Sequence, residues 1–384
     1  MFQILKYAIL FLLLCNIPSY SLAYFGSGLG SLTSYLSTLL LLAYFILAKE
    51  KHRPLLPFIL LGLTYFILSG LNFQLVDPKN YFLKEFLRFM VLVICGTEVF
   101  YRSGTRDIYL ILLLGALSIV LNAIFFPYAN ANFNASYGRF SGFYLNPNTA
   151  GVICLIGYAL SYRFAGYWKY LGILIFTLAG ILTFSRTFIV IWLLITAFSI
   201  IKNKRNVILP GIGVLLILLV ISFSDKLVLN TERFNALEGI FTQSNVSADV
   251  IREDSRTDTW SIYYDQIFEK PFLGHGFLSF QLKGPGLPGV HNSYLMIIGE
   301  SGIIPFLIMV GIYAFLIIRS VKIFNLRQEY FFLSMVLILA LMASHTYFSN
   351  FYIVSISMFV YIKVNEIYAK ANQIDMHEKS KNFL

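Results

Sequence analysis

Charge is scarce in this sequence. Only 12% of its 384 residues are Asp, Glu, Lys or Arg, against about a quarter in an ordinary soluble domain. So few charges cannot solvate the surface of a globule this long, which excludes a single soluble domain. Cysteine is equally sparse: Cys15, Cys95 and Cys154 all fall inside apolar runs, where a thiol behaves as a small hydrophobe, so neither a disulfide frame nor a thiolate metal cluster is expected. Metal-ligand spacing, a phosphate-cradling glycine loop, a nucleophile elbow, a DxD-type metal site and paired glycosidase carboxylates are all missing. The expected chemistry therefore uses no metal and no cofactor. Internal repeats and matched Gly/Pro-broken helices are missing too, which weakens a carrier reading.

What is present is apolar. Hydrophobic residues make up 58% of the chain and aromatics 17%, with a mean hydropathy of +0.74. Runs of about 20 apolar residues, enough to cross a hydrocarbon core, recur along nearly the whole length. They predict an all-α polytopic integral membrane protein with about 12 transmembrane helices, over 4–24, 29–48, 55–73, 84–101, 107–127, 147–164, 168–184, 186–201, 207–223, 296–318, 330–345 and 348–366. One large loop on the outer face lies between the ninth and tenth. The chain thus divides into residues 1–223 (helices 1–9), 224–295 (the loop) and 296–384 (helices 10–12 and a cytoplasmic tail). Lys6 ahead of an apolar run and Ser21-Leu22-Ala23 resemble a signal peptide, but a retained helix with a cytoplasmic N-terminus makes the charges consistent. Lys49, Lys51 and Arg53, then Arg102 and Arg106, Arg163 and Lys169, Lys202, Lys204 and Arg205, and Arg319, Lys322 and Arg327 all then fall inside, as the positive-inside rule requires. The net charge of +10 is a topology signal, and no nucleic-acid partner is expected.

On the opposite face lie 128–146, the turn at Ser185-Arg186, and 224–295. The last begins with a short amphipathic pattern from Leu227 to Ile240, continues through a polar linker over Thr242–Asp249, and then places Trp260, Tyr263, Tyr264, Ile267 and Phe268 at helical spacings until Pro271. Gly274 and Gly276 predict a tight turn.

Arg186 sits between two apolar helices on the face where arginine is depleted, which points to an anion. Its other readings are snorkelling to headgroups or pairing with a carboxylate such as Glu300. Arg139 precedes Asn146-Pro147-Asn148, where a new helix begins. A helix N-terminus beside an arginine favours an anion, although a cap with a solvated charge fits the same residues. Arg252 and Arg256 have Glu253, Asp254 and Asp258 nearby for surface pairing. His291 is a candidate general base, since an imidazole exchanges protons near neutral pH. The alternative is a capping role, with Asn292 satisfying backbone groups. Glu300, Asp265 and His345 are the weaker candidates for orienting His291. Arginines for an anionic leaving group and one histidine for a proton together suit metal-free group transfer from a pyrophosphate.

The stretches RFSGFYLNPNTAG (139–151), LTFSRT (182–187), RTDTW (256–260), PFLGHGF (271–277), HNSYL and GESG (291–302) resemble the O-antigen ligase and polymerase superfamily, bacterial membrane glycosyltransferases acting on undecaprenyl-pyrophosphate-linked glycans. The resemblance spans roughly 139–320. It implies a bundle of ten to fourteen helices with one large periplasmic loop, and an active site at the periplasmic face of the inner membrane. It also implies pyrophosphate held at Arg186 and Arg256 and a histidine, His291, acting at the acceptor. Arg139, Asn146, Asn148, Arg252, Trp260 and Asn292 are the expected pyrophosphate- or glycan-binding residues. Ligases often follow the histidine with a glycine and a further small residue or tyrosine; Gly302 fits, whereas Pro305 occupies the later place. The Asn-Pro-Asn segment resembles O-antigen and capsule polymerases, so polymerisation of lipid-linked repeat units is the first expectation. An O-antigen ligase acting on lipid A-core is the alternative, and a lipid-linked glycan flippase or transporter is the alternative of another class. The implied partners are the lipid-linked glycan, the bilayer, and a chain-length regulator and flippase of the same pathway.

Overall fold

The computed structural model describes residues 2–72, 81–130, 138–223, 227, 229, 256–281 and 289–382. Among them every regular element is helical. The order is α1 (Phe2–Leu14), α2 (Ile17–Leu47), α3 (Leu56–Leu71), α4 (Tyr81–Tyr101), α5 (Thr105–Phe125), α6 (Pro147–Ser161), α7 (Tyr167–Leu182), α8 (Arg186–Lys202), α9 (Ile208–Ser222), α10 (Arg256–Ser261), α11 (Tyr264–Glu269), α12 (Ser293–Ser301), α13 (Ile303–Lys322), α14 (Gln328–Leu341) and α15 (Phe351–Asn382). Among the described residues five stretches, Ile17–Leu47, Thr105–Phe125, Lys204–Ser222, Ile303–Lys322 and Phe351–Gln373, are long and apolar enough to cross a membrane, and five shorter apolar helices accompany them. With backbone groups satisfied inside each helix and apolar side chains such as Ile46, Leu215 and Leu307 facing outward, this is the architecture of a helical membrane protein.

Two expected spans are interrupted. The run 4–24 breaks at Asn16, whose φ is +54°, and α2 is kinked at Gly26. The run 296–318 breaks at Gly302, with φ +83° and ψ −170°, between α12 and α13. A Cβ there would collide with the Phe272 carbonyl, so only glycine fits this turn. Apolar runs do not reveal such breaks, because residues on both sides of them are equally hydrophobic.

The chain forms two compact units. The first comprises Met1–Lys6, Thr38–Gly104 and Arg256–Leu384. In it α3 packs on α4, α12 and α13, α4 packs on α15, and α13–α15 pack on one another. The membrane-length part of α15 is 61% buried, which makes it a central element. An aromatic cluster fills this unit, with Tyr65 stacked on Phe348 at 3.7 Å and Phe66, Phe82, Phe89 and Phe277 around them.

The second unit comprises Tyr7–Ser37 and Thr105–Ser255. Its centre is α6, with 13 of 15 residues buried, packed against α5, α7 and α8. A helix apolar on all sides belongs at a core. Lipid is as apolar as leucine, so close approach at small residues and interhelical hydrogen bonds hold such helices together. Both occur here: Gly157 receives the Phe176 ring and Gly180 the Phe188 ring. Tyr158 meets Thr196 at 2.8 Å, Tyr162 meets Tyr158 at 3.0 Å and Ser199 at 3.1 Å, and Trp192 donates to Thr177 at 3.2 Å.

Candidate functional site

In the second unit, Asn146 has extended backbone and caps α6, its side chain accepting from the backbone N–H of Asn148 at 2.8 Å and of Thr149 at 3.3 Å. Pro147 takes the first helical position, where its missing N–H costs nothing. Ser185 caps α8 in the same way, accepting from Phe188 N–H, and Arg186 is the first residue of that helix. The two N-termini are adjacent, because a Cβ on Gly151 would lie 3.1 Å from the Ser185 side chain. Leu145 (φ +62°) and Phe184 (φ +48°) precede these caps in the left-handed region, a costly conformation for a branched or bulky residue. The turns are thus set by packing around them.

Arg139 donates from Nε to the Thr183 carbonyl at 3.1 Å and from a terminal nitrogen to Asn148 Oδ1 at 2.9 Å. It ties the loop before α6 to the turn before α8. The side chain of Asn146 is therefore engaged as a cap, and Asn148 as an arginine acceptor. Arg186 is exposed. Two helix N-termini and two arginines in one region create positive potential suited to a phosphate-like anion.

In the first unit, Arg256 opens α10. Arg252, the amphipathic pattern to Ile240 and the linker Thr242–Asp249 lie outside the described residues. Trp260 is half-buried, and its indole N–H is buried without a hydrogen-bond partner among the described residues. His291 is exposed and has φ +47°. Asn292 follows as the N-cap of α12, accepting from Tyr294 N–H at 2.9 Å and Leu295 N–H at 3.2 Å. At 5% exposure its side chain is engaged as a cap. Ser293 donates to the Ser344 carbonyl at 2.6 Å, which fastens the start of α12 to the turn after α14. That turn carries His345, whose ring meets His291 edge-on at 4.6 Å with an interplanar angle of 68°. His345 Nδ1 is buried without a partner among the described residues. Burial, and secondarily the adjacent His291, lowers the His345 pKa from 6.5 to about 4. Asp265, another candidate for orienting His291, is exposed on α11.

PFLGHGF and GESG prove to be one interlock. His275 N–H donates to the Gly299 carbonyl at 2.8 Å, Gly276 N–H to the Glu300 carbonyl at 3.0 Å, and Ile303 N–H to the Pro271 carbonyl at 2.9 Å. The turn thereby satisfies carbonyls that the break at Gly302 would otherwise leave unpaired. It is also fixed to α3, through Phe277 N–H to the Ser69 carbonyl at 3.0 Å and Asn72 to the Gly274 carbonyl at 3.0 Å. The Glu300 side chain, fully buried, accepts from Tyr65, from Phe280 N–H at 3.1 Å and from the Gln281 amide at 2.9 Å. Glu300 is thus the anchor of the turn. His275 contacts the Gln266 carbonyl through Nε2 at 2.6 Å, a structural tie. Tyr65 and Gln281 have no sequence signature, whereas the lone carboxylate in an apolar run was the available signal for Glu300.

Comparison with curated proteins gives no match. The family model described as Wzy_C, O-antigen ligase, matches residues 171–310. The matched stretch contains Arg186, Arg256, His291 and the whole interlock, and excludes Arg139 and the Asn-Pro-Asn cap. The match supports a likeness of this stretch to the O-antigen ligase and polymerase superfamily, in a chain whose described elements are all helical.

Proposed function

We propose that the protein polymerises undecaprenyl-pyrophosphate-linked oligosaccharide repeat units into O-antigen or capsular polysaccharide. In this reading it lies in the bacterial inner membrane with both termini cytoplasmic, and transfer takes place at the periplasmic face. The observation that carries the reading is the exposed His291 at the mouth of α12, inside the family-matched stretch. A hydroxyl oxygen of the acceptor sugar attacks the anomeric carbon of the donor. The new glycosidic bond forms as the bond to the pyrophosphate oxygen breaks, and the hydroxyl proton passes to His291. Arg186 and Arg256 stabilise the charge growing on the departing pyrophosphate. A single displacement inverts the anomeric configuration. The pathway partners of such an enzyme are a flippase that delivers the lipid-linked unit and a chain-length regulator.

A ligase transferring the finished glycan to lipid A-core is the second reading, favoured by the description of the matched family. The Asn-Pro-Asn cap that favours polymerase lies outside the matched range. The surface glycan of a deletion strain, complemented with wild type or His291→Ala, separates them. Polymerase predicts core carrying a single repeat unit, in the deletion strain and with His291→Ala alike. Ligase predicts bare core with long lipid-linked glycan accumulating. An unchanged ladder rejects both, and a carrier predicts that His291→Ala restores the glycan.

A further inference from the structure

A cavity of about 210 Å³ opens in the first unit, lined by Glu85, Phe277, Leu278, Gln281, Phe348 and Ser349. A space of this size has room for one pyranose ring. Two of its walls are aromatic rings. Its polar groups among the described residues are a carboxylate, an amide and a hydroxyl. Glu85 Oε1 is held by Arg88 at 3.0 Å, and Arg88 lies over the Phe351 ring at 4.6 Å. Glu85 Oε2 is buried with no hydrogen-bond partner among the described residues, an arrangement costly enough to call for a donor. The Gln281 amide is fixed through its hydrogen bonds to Glu300.

Three ligand chemistries can be weighed against these groups. An acyl chain would satisfy the rings and leave the Glu85 oxygen unpaired. A phosphate or carboxylate would set acceptor against acceptor. A neutral sugar satisfies both, with ring C–H groups on the aromatic faces and a hydroxyl donating to Glu85.

The cavity is joined to the histidines through the backbone. A Cβ on Gly289 would lie 3.0 Å from the His345 ring and 3.3 Å from the Gln281 carbonyl, and His345 contacts His291. The geometry points to a subsite for one uncharged sugar ring of the acceptor glycan, with Glu85 as the hydroxyl acceptor and Phe277 and Phe348 as its walls. Its assignment to the acceptor rests on the proposed role of His291. The subsite selects for a hydroxyl donor and against a uronic acid.

The test is saturation-transfer NMR on the full chain in lipid nanodiscs, with the methyl glycosides of glucose, galactose and N-acetylglucosamine as probes and methyl glucuronide as the acidic counterpart. At least one neutral glycoside should bind, with transfer strongest to the C–H protons of one ring face, and methyl glucuronide at least fivefold more weakly. Glu85→Gln should weaken the neutral glycoside about five- to tenfold, as a charged acceptor becomes a neutral one, and narrow the discrimination against glucuronide. Ser349→Ala, at an exposed position, should weaken binding about twofold and covers the case in which Glu85→Gln misfolds. Absence of binding by every neutral glycoside, equal binding by wild type and both variants, or glucuronide binding as tightly as the neutral probes would each overturn the subsite. Discriminating binding alongside a normal glycan ladder from His291→Ala would keep the subsite and reject the catalytic reading. A ladder lost in His291→Ala with binding indifferent to Glu85→Gln would do the reverse.

Discussion

In the second unit the arginines stand on or beside helices packed through glycine, whereas in the first the histidine follows a turn hung on one buried carboxylate. Gly151, Gly157 and Gly180 bring α6, α7 and α8 into contact, and hydroxyl pairs such as Tyr158–Thr196 stitch them at about 0.6 kcal/mol each. Around His291 the positioning runs through Glu300, which gathers Tyr65, Phe280 and Gln281, and through the docking of the GHG turn on Gly299 and Glu300. Packing distributes its contribution over many weak contacts. A buried carboxylate concentrates it, so the two units should differ in how they fail.

Glu300→Leu should have the largest effect. It leaves a tyrosine hydroxyl, an amide and a backbone N–H without their acceptor, each costing about 1–3 kcal/mol, so a loss of about 3 kcal/mol or more is expected. Glu300→Gln keeps an acceptor oxygen and should lose about 1–2 kcal/mol. Thermal unfolding of the purified chain reads both; equal midpoints for the two variants would show that shape, and not hydrogen bonding, supports the turn. In the second unit Gly180→Val drives a side chain into the Phe188 ring, and overpacking of this kind costs about 1–3 kcal/mol. Phe188 is two residues from Arg186, so glycan synthesis should fall more than the melting temperature suggests. A variant with lowered stability and full activity would separate the packing from the arginine. Arg186→Lys should leave unfolding within about 0.5 kcal/mol of wild type, because the side chain is exposed. It should still lose most activity, since an ammonium cannot reproduce the guanidinium fork on phosphate oxygens. Near-normal glycan from Arg186→Lys would remove Arg186 from direct contact with the substrate.

The same contrast decides what was legible in the sequence. Helical class and most helix positions follow from runs of apolar residues, and both caps could be read because Asn146-Pro147 and Asn292-Ser293 are local signals. The break at Gly302 could not be read, since its cause is the Phe272 carbonyl, thirty positions away. The helical pattern after Arg256 appears as two short helices, α10 and α11, because the chain turns between Trp260 and Tyr264. Arg139 is visible as a charge, but its ties to Thr183 and Asn148 are tertiary. Asn146, Asn148 and Asn292 read equally as ligands or caps, and in the structure their side chains are engaged in holding backbone or Arg139. His345 and Glu85 carry no motif: one matters for its contact with His291 and the other for a cavity wall, and neither relation is written in local spacing.

The smallest expected effect concerns His345, and it separates the two histidines. Burial holds this imidazole neutral down to about pH 4, below its ordinary 6.5. The unfolded chain therefore binds a proton between about pH 6.5 and 4 that the folded chain refuses, so stability declines as pH falls through that window and is unaffected by this group above it. His345→Gln should flatten that slope. In glycan synthesis the acid limb should carry one proton, because His345 stays neutral down to about pH 4, and His345→Gln should preserve a one-proton limb. A two-proton limb in wild type that becomes one in His345→Gln would mean the rings share the proton, making His345 part of the base instead of the apolar edge against which His291 is held.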